Sequence, residues 1–148
     1  MSAPRLTYEY TYDDILTAYF DCRRRKRNTW PAINFEIDFE KNLLNLLEEI
    51  NSGRYVIGSS RAFVVTWPKP REVWAAQFRD RIVHHAVMNV LKPIWMRVFS
   101  ADTYSCIDGR GINGCRKAVQ RAIRTDRAGT RYCLKFDIRK FYPSRSEE

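Results

Sequence analysis

A lone carboxylate, Asp137, closes an apolar run at 132–136, and an aromatic pair, Phe141 and Tyr142, follows one helical turn later. A carboxylate at the end of a buried strand can hold a hard cation. Magnesium takes oxygen ligands in strict geometry and leaves room for substrate phosphates. The same residue can instead cap the helix that follows, and spacing alone leaves both readings open. Upstream, Lys69 and Arg71 alternate with Pro68 and Pro70. The prolines stiffen a turn and limit the wandering of two long side chains. A lysine point charge and a planar arginine fork both suit a triphosphate, and both also serve as surface charge. Arg23, Arg24, Arg25, Lys26 and Arg27 fall within about two helical turns, so they cannot all face inward. They either end a helix in favour of its dipole or neutralise a nucleic-acid backbone with release of counterions. Tyr19 and Trp30 nearby either stack on bases or join a core.

Other chemistry is weaker. His84 and His85 are adjacent, about 100° apart on a helix, and do not converge on one ion; at least one is expected to pack. The stretch 109–114 is glycine-rich but lacks the Lys-Ser/Thr ending of a nucleoside-triphosphate loop. Cys22, Cys106, Cys115 and Cys133 form no C-x-x-C pair, which argues against zinc and for reduced thiols.

The elements that must position these residues follow from patterning. Thr11 is placed to cap a helix with Asp13 and Asp14 in its first turn and Ile15, Ala18, Tyr19 and Cys22 on one face. A second helix is expected over 39–51, with Leu43, Leu44, Leu46, Leu47 and Ile50 apolar and Gly53 as its stop. Short strands are expected at 55–57, 62–66 and 72–75. A long helix from residue 79 carries Ile82, Val83, Ala86, Val87, Val90 and Leu91, with Pro93 kinking or restarting it. Residues 105–114 read as a loop and 115–124 as a helix. The 148 residues suffice for a domain with a real core, and 45% hydrophobic content argues against disorder. A formal net charge of +9 favours a polyanionic partner. No apolar run approaches the ~20 residues of a membrane span, and no signal segment opens the chain.

The segment 134–144, LKFDIRKFYPS, resembles the first palm motif of reverse transcriptases, written F-D-I-x-x-[FY]-[FY]. Residues 68–85, PKPREVWAAQFRDRIVHH, resemble the fingers motif of the same enzymes. Residues 102–111, DTYSCIDGRG, resemble the block between them, although Ile107 stands where relatives carry a basic residue. The three occur in the family's order and together span about 35–144. The wording is closest to bacterial enzymes of diversity-generating retroelements, with retron and group II intron enzymes as relatives. The family's [YF]-x-D-D turn does not occur, and the tail 144–148 departs from the usual S-I-D continuation. The chain therefore reads as an N-terminal piece of an RNA-directed DNA polymerase.

The resemblance implies an α/β (α+β) fold, helix-rich with short antiparallel strands: the fingers and the start of the palm of a right-handed polymerase. It implies an N-terminal helical segment at 1–34, a fingers-like region at 35–130 and the start of the palm at 131–148. The whole enzyme would be a cytoplasmic nucleotidyltransferase, bacterial or phage-encoded, that extends a DNA primer on an RNA template with deoxynucleoside triphosphates and Mg2+. Asp137 would bind the metals, with the Ile138 carbonyl as a further ligand. Lys69 and Arg71 would hold the nucleotide's phosphates. Tyr142 would lie against its sugar and reject a 2′-hydroxyl, with Phe141 as the alternative gate. Arg79, Arg81 and Arg110 would join residues 23–27 in contacting nucleic acid. An accessory protein, or the remainder of the polymerase, would complete the site. Two other classes stay open: a non-catalytic nucleic-acid-binding module or remnant, and a membrane-surface binder acting through the basic first helix, whose apolar face is narrow.

Overall fold

The computed structural model describes residues 8–24 and 26–138. They form five helices and one two-stranded antiparallel sheet, in the order α1 (Tyr12–Arg23), α2 (Trp30–Ile37), α3 (Phe39–Asn51), β1 (Arg61–Val65), β2 (Arg71–Ala75), α4 (Phe78–Val98) and α5 (Gly111–Thr125). The chain divides into two compact units, Met1–Val98 and Phe99–Glu148. The boundaries expected at 34 and 130 fall inside these units. Among the described residues no helix is long and apolar enough to cross a membrane.

The first unit is built on four helices. Thr11 caps α1: its hydroxyl accepts from the Asp14 N–H at 3.2 Å, and Asp14 accepts from the Thr11 N–H at 2.9 Å. This reciprocal pair satisfies two N-terminal donors, and the Thr11 backbone N–H holds the Asp14 carboxyl below its ordinary range. Ile15, Ala18, Tyr19 and Cys22 are buried, as their spacing predicts. The same holds for Leu43 and Leu46 of α3 and for Ile82 and Ala86 of α4. Leu44, about 100° around from Leu43 on α3, is half exposed. Gly53, at φ +70°, takes the left-handed conformation that ends α3. Helix α2 was not predicted; Thr29 precedes it and Pro31 lies in its first turn. It adds Ala32 and Phe35 to the core, where Phe35 meets Phe78 with ring centroids 5.6 Å apart.

The hairpin pairs Arg61 with Ala75, Phe63 with Val73 and Val65 with Arg71, close to the expected strands. The strand expected at 55–57 does not form. Its polar groups have other uses: the Tyr55 N–H donates to the Glu49 carbonyl at 3.0 Å, extending the end of α3, and its hydroxyl donates to Asp80. Helix α4 runs through Pro93 without a break.

In the second unit, α5 begins at Gly111, earlier than the predicted 115, and none of its residues is buried. The strand expected at 132–136 is absent. Residues 132–138 carry no strand pairing, and Tyr132, Leu134 and Phe136 are at least 77% exposed. A strand is defined by its ladder, and among the described residues this segment has no partner strand.

Candidate nucleic-acid interface

A cleft of about 1000 Å³ opens in the first unit between α2, the hairpin and the first turn of α4. Phe35, Phe63 and Phe78 supply apolar walls, and Arg61, Arg79 and Arg81 supply positive charge. Asn34, Gln77 and Ser59 add neutral donors and acceptors. The pleat explains one wall: Arg61, Phe63 and Ala75 share one face of the hairpin because successive side chains alternate.

Asp80 holds this region together. It is 1% exposed and accepts from the Tyr55 hydroxyl at 2.6 Å and from the Gly58 N–H at 3.1 Å. These bonds tie the segment leading into β1 to the first turn of α4, where a carboxylate also suits the helix dipole. Burial and the bond to Asp80 push the Tyr55 hydroxyl's pKa above its ordinary value.

The two arginines beside Asp80 differ. Arg79 pairs with Glu49 of α3 and lies over the Tyr55 ring, 5.2 Å from its centroid. It locks α3 to α4 and also lines the cleft. Arg81 lies over the Phe78 ring at 5.8 Å, and its buried Nε has no hydrogen-bond partner among the described residues. A guanidinium with an unused donor at a cleft suits a phosphate or carbonyl oxygen.

The basic run is also divided. Arg23 donates from Nε to Glu36 at 2.5 Å and from Nη2 to its other oxygen at 3.2 Å, tying α1 to α2. The Tyr19 hydroxyl donates to the same carboxylate at 2.8 Å. Arg23 is the main reason that the Glu36 carboxyl is held low, whereas burial, with the bond to Glu36, pushes Tyr19 up to about 12. Arg24 pairs with Asp21 at 3.2 Å. Arg24, Lys26 and Arg27 line a surface depression with Asn28 and Thr29. Arg25 lies outside the described residues.

Lys69 is exposed in the turn between the strands, and Arg71 is exposed at the start of β2. Arg110 acts locally, since one terminal nitrogen donates to the carbonyls of Ser100, Ala101 and Thr103 at 3.2, 2.9 and 3.0 Å. It gathers the 100–110 loop ahead of α5. His84 is exposed and His85 half-buried, with burial lowering the His85 pKa. Asp137 and Ile138 are exposed in the extended segment, and Phe141 and Tyr142 lie outside the described residues. No group of three or more His, Cys, Asp or Glu side chains fit to hold a metal occurs among the described residues.

Sequence reasoning missed Asp80 as an anchor, Glu36 and Glu49 as partners of arginines, and Arg61 and Phe35 as cleft residues. The signal for α2 was present in Thr29, Pro31 and the Ala32/Phe35 spacing. No protein-family model and no curated protein matches this chain.

Proposed function

We propose that this chain forms the fingers and the start of the palm of an RNA-directed DNA polymerase and binds the phosphates of an RNA template paired with a DNA primer. One observation carries the reading. An antiparallel hairpin with Lys69 at its turn and Arg71 on β2 leads straight into the Arg79-Asp80-Arg81 turn of α4, beside a cleft that also holds Arg61. The motif order in the sequence supports the same assignment. Arg61, Lys69, Arg71 and Arg81 act on phosphates as charge, without reading bases. Lys69 and Arg71 also hold the triphosphate of the incoming deoxynucleotide.

Magnesium belongs to this reading, with Asp137 and the Ile138 carbonyl as ligands. When bound, it would neutralise charge on the transferring phosphates. Two-metal transfer needs further carboxylates, so nucleotide addition is assigned to the full-length polymerase, and this chain alone binds without extending a primer.

The test is equilibrium binding of a fluorescent RNA–DNA hybrid, with polyglutamate as a competitor of like charge. The hybrid should bind tighter than polyglutamate, and the triple variant Arg61→Ala/Lys69→Ala/Arg71→Ala should lose at least tenfold in affinity. Equal affinity for polyglutamate would sink the nucleic-acid assignment.

A further inference from the structure

The corner between α1 and α2 carries charge and an aromatic ring together. Residues 20–29 hold five cations against one carboxylate, Asp21. Arg23 is committed, since it ties α1 to α2 through Glu36. The Arg24 side chain is 76% exposed, and its pair with Asp21 is a surface pair of the kind that contributes little. Arg24 and Arg27 line two surface depressions. One, of about 460 Å³, adds Lys26, Asn28 and Thr29. The other, of about 220 Å³, adds Phe20 and Arg23. The Phe20 ring is 55% exposed and stands edge-on to Tyr19, with centroids 5.2 Å apart. Tyr19 is buried and bonded to Glu36, so the Phe20 ring has a fixed backing. The loop is ordered too: the Thr29 N–H and hydroxyl both donate to the Lys26 carbonyl, at 3.1 and 2.9 Å. Cations that share a depression with a half-exposed ring suit a polyanion that also presents flat apolar faces. That polyanion is an unpaired nucleic-acid strand, because duplex bases are stacked on one another and offer no free face. Continuity points the same way: Thr29 lines the corner, and Pro31, two residues on, lines the cleft between α2 and the hairpin.

We infer that this corner is a second nucleic-acid site, which grips single-stranded RNA where it leaves the cleft. Phe20 stacks on a base, and Arg24, Lys26 and Arg27 hold the phosphates beside it. The site rests on the nucleic-acid reading above and adds where an unpaired strand runs and which side chains hold it. Base–aromatic stacking tolerates any sequence, since every base has a π-face. Asp21 competes with phosphate for Arg24 and tempers affinity.

The experiment titrates the whole chain into fluorescein-labelled oligouridylate and follows anisotropy, with a blunt RNA–DNA hybrid titrated in parallel. Phe20→Leu should weaken single-strand binding about 5- to 100-fold, the range of one lost base stack, and leave hybrid binding within about twofold. Phe20→Trp should bind the single strand at least as tightly as wild type, and Asp21→Asn should tighten it. For oligouridylate, the slope of log affinity against log salt should be unchanged in Phe20→Leu, because no phosphate contact is lost. In Arg24→Gln/Arg27→Gln it should shrink by about 0.7 for each phosphate released. Oligouridylate binding within twofold of wild type in Phe20→Leu, with the hybrid still bound, overturns the corner site and leaves the cleft reading standing. Equal weakening for single strand and hybrid also overturns it, since stacking acts only on unpaired bases. An Arg24→Gln/Arg27→Gln slope equal to wild type overturns it whether or not Phe20→Leu folds. Failure of wild type to bind either nucleic acid overturns the functional reading on which the site rests.

Discussion

Replacing Asp80 with alanine is expected to be among the most damaging single changes in the first unit. The carboxylate is 1% exposed and accepts two hydrogen bonds, from the Tyr55 hydroxyl at 2.6 Å and the Gly58 N–H at 3.1 Å. Each donor left without an acceptor costs about 1–3 kcal/mol. Both donors belong to residues that keep some exposure, so water recovers part of the loss. Removing a buried carboxylate also relieves its own desolvation. The expected cost is about 2–4 kcal/mol, a large share of the ~5–15 kcal/mol that holds a typical domain folded. Asp80→Asn keeps one acceptor oxygen and should lose about half as much. Tyr55→Phe removes one donor and should cost about 1–2 kcal/mol. Urea unfolding followed by far-UV ellipticity measures all three. In the double-mutant cycle of Asp80→Ala with Tyr55→Phe, a coupling of about 0.5–3 kcal/mol is expected for groups in direct contact. A loss below about 1 kcal/mol for Asp80→Ala, or no coupling in the cycle, would refute the role of Asp80 as the anchor of the segment entering β1.

Ile82→Ala, at a fully buried position, should cost about 2–5 kcal/mol in the same unfolding assay, whereas Leu44→Ala, at a half-exposed one, should cost about 1 kcal/mol or less. Asp14 and Glu36 have folded carboxyls held below their ordinary values, so their contribution is full above the unfolded carboxylate range and is lost as pH falls through the folded values. The melting temperature should therefore hold from neutral pH to about 5 and fall below about 4, less steeply in Glu36→Gln. Arg110→Ala removes the donor shared by three carbonyls, and hydrogen exchange should quicken across 100–106 while α1, α3 and α4 keep their protection.

Helices α1, α3 and α4 were legible because each has an apolar stripe, with a cap at Thr11 for α1 and a stop at Gly53 for α3, and local signals of that kind act within a few residues. Helix α2 was not, because its apolar residues run around the helix: Trp30, Ile33 and Ile37 are exposed while Ala32 and Phe35 are buried. The hairpin was legible in its β-rich runs and the prolines between them. The strands at 55–57 and 132–136 were over-read for one reason: apolar and aromatic content favours a strand, but a ladder requires a partner that sequence does not reveal. The candidate site was half visible. Lys69 and Arg71 stand exposed on the hairpin as expected. Arg23 and Arg79 also tie neighbouring helices together through Glu36 and Glu49, which spacing along the chain does not encode. Asp80, flanked by two arginines, reads from sequence as a carboxylate that favours the helix start and pairs with an arginine, and only its burial against Tyr55 and Gly58 makes it the anchor of the segment entering β1.

The nucleic-acid assignment is tested most directly by the affinity of the purified chain for an RNA–DNA hybrid as a function of salt. If Arg61, Lys69, Arg71 and Arg81 neutralise about four phosphates, log affinity should fall against log salt with a slope near −3 to −4, about a 100-fold loss between ~50 and ~200 mM. The Arg61→Ala/Lys69→Ala/Arg71→Ala variant should retain only a shallow slope near −1. An affinity that hardly changes across that range, or a triple variant whose slope matches wild type, would contradict a phosphate-directed interface on this hairpin and cleft.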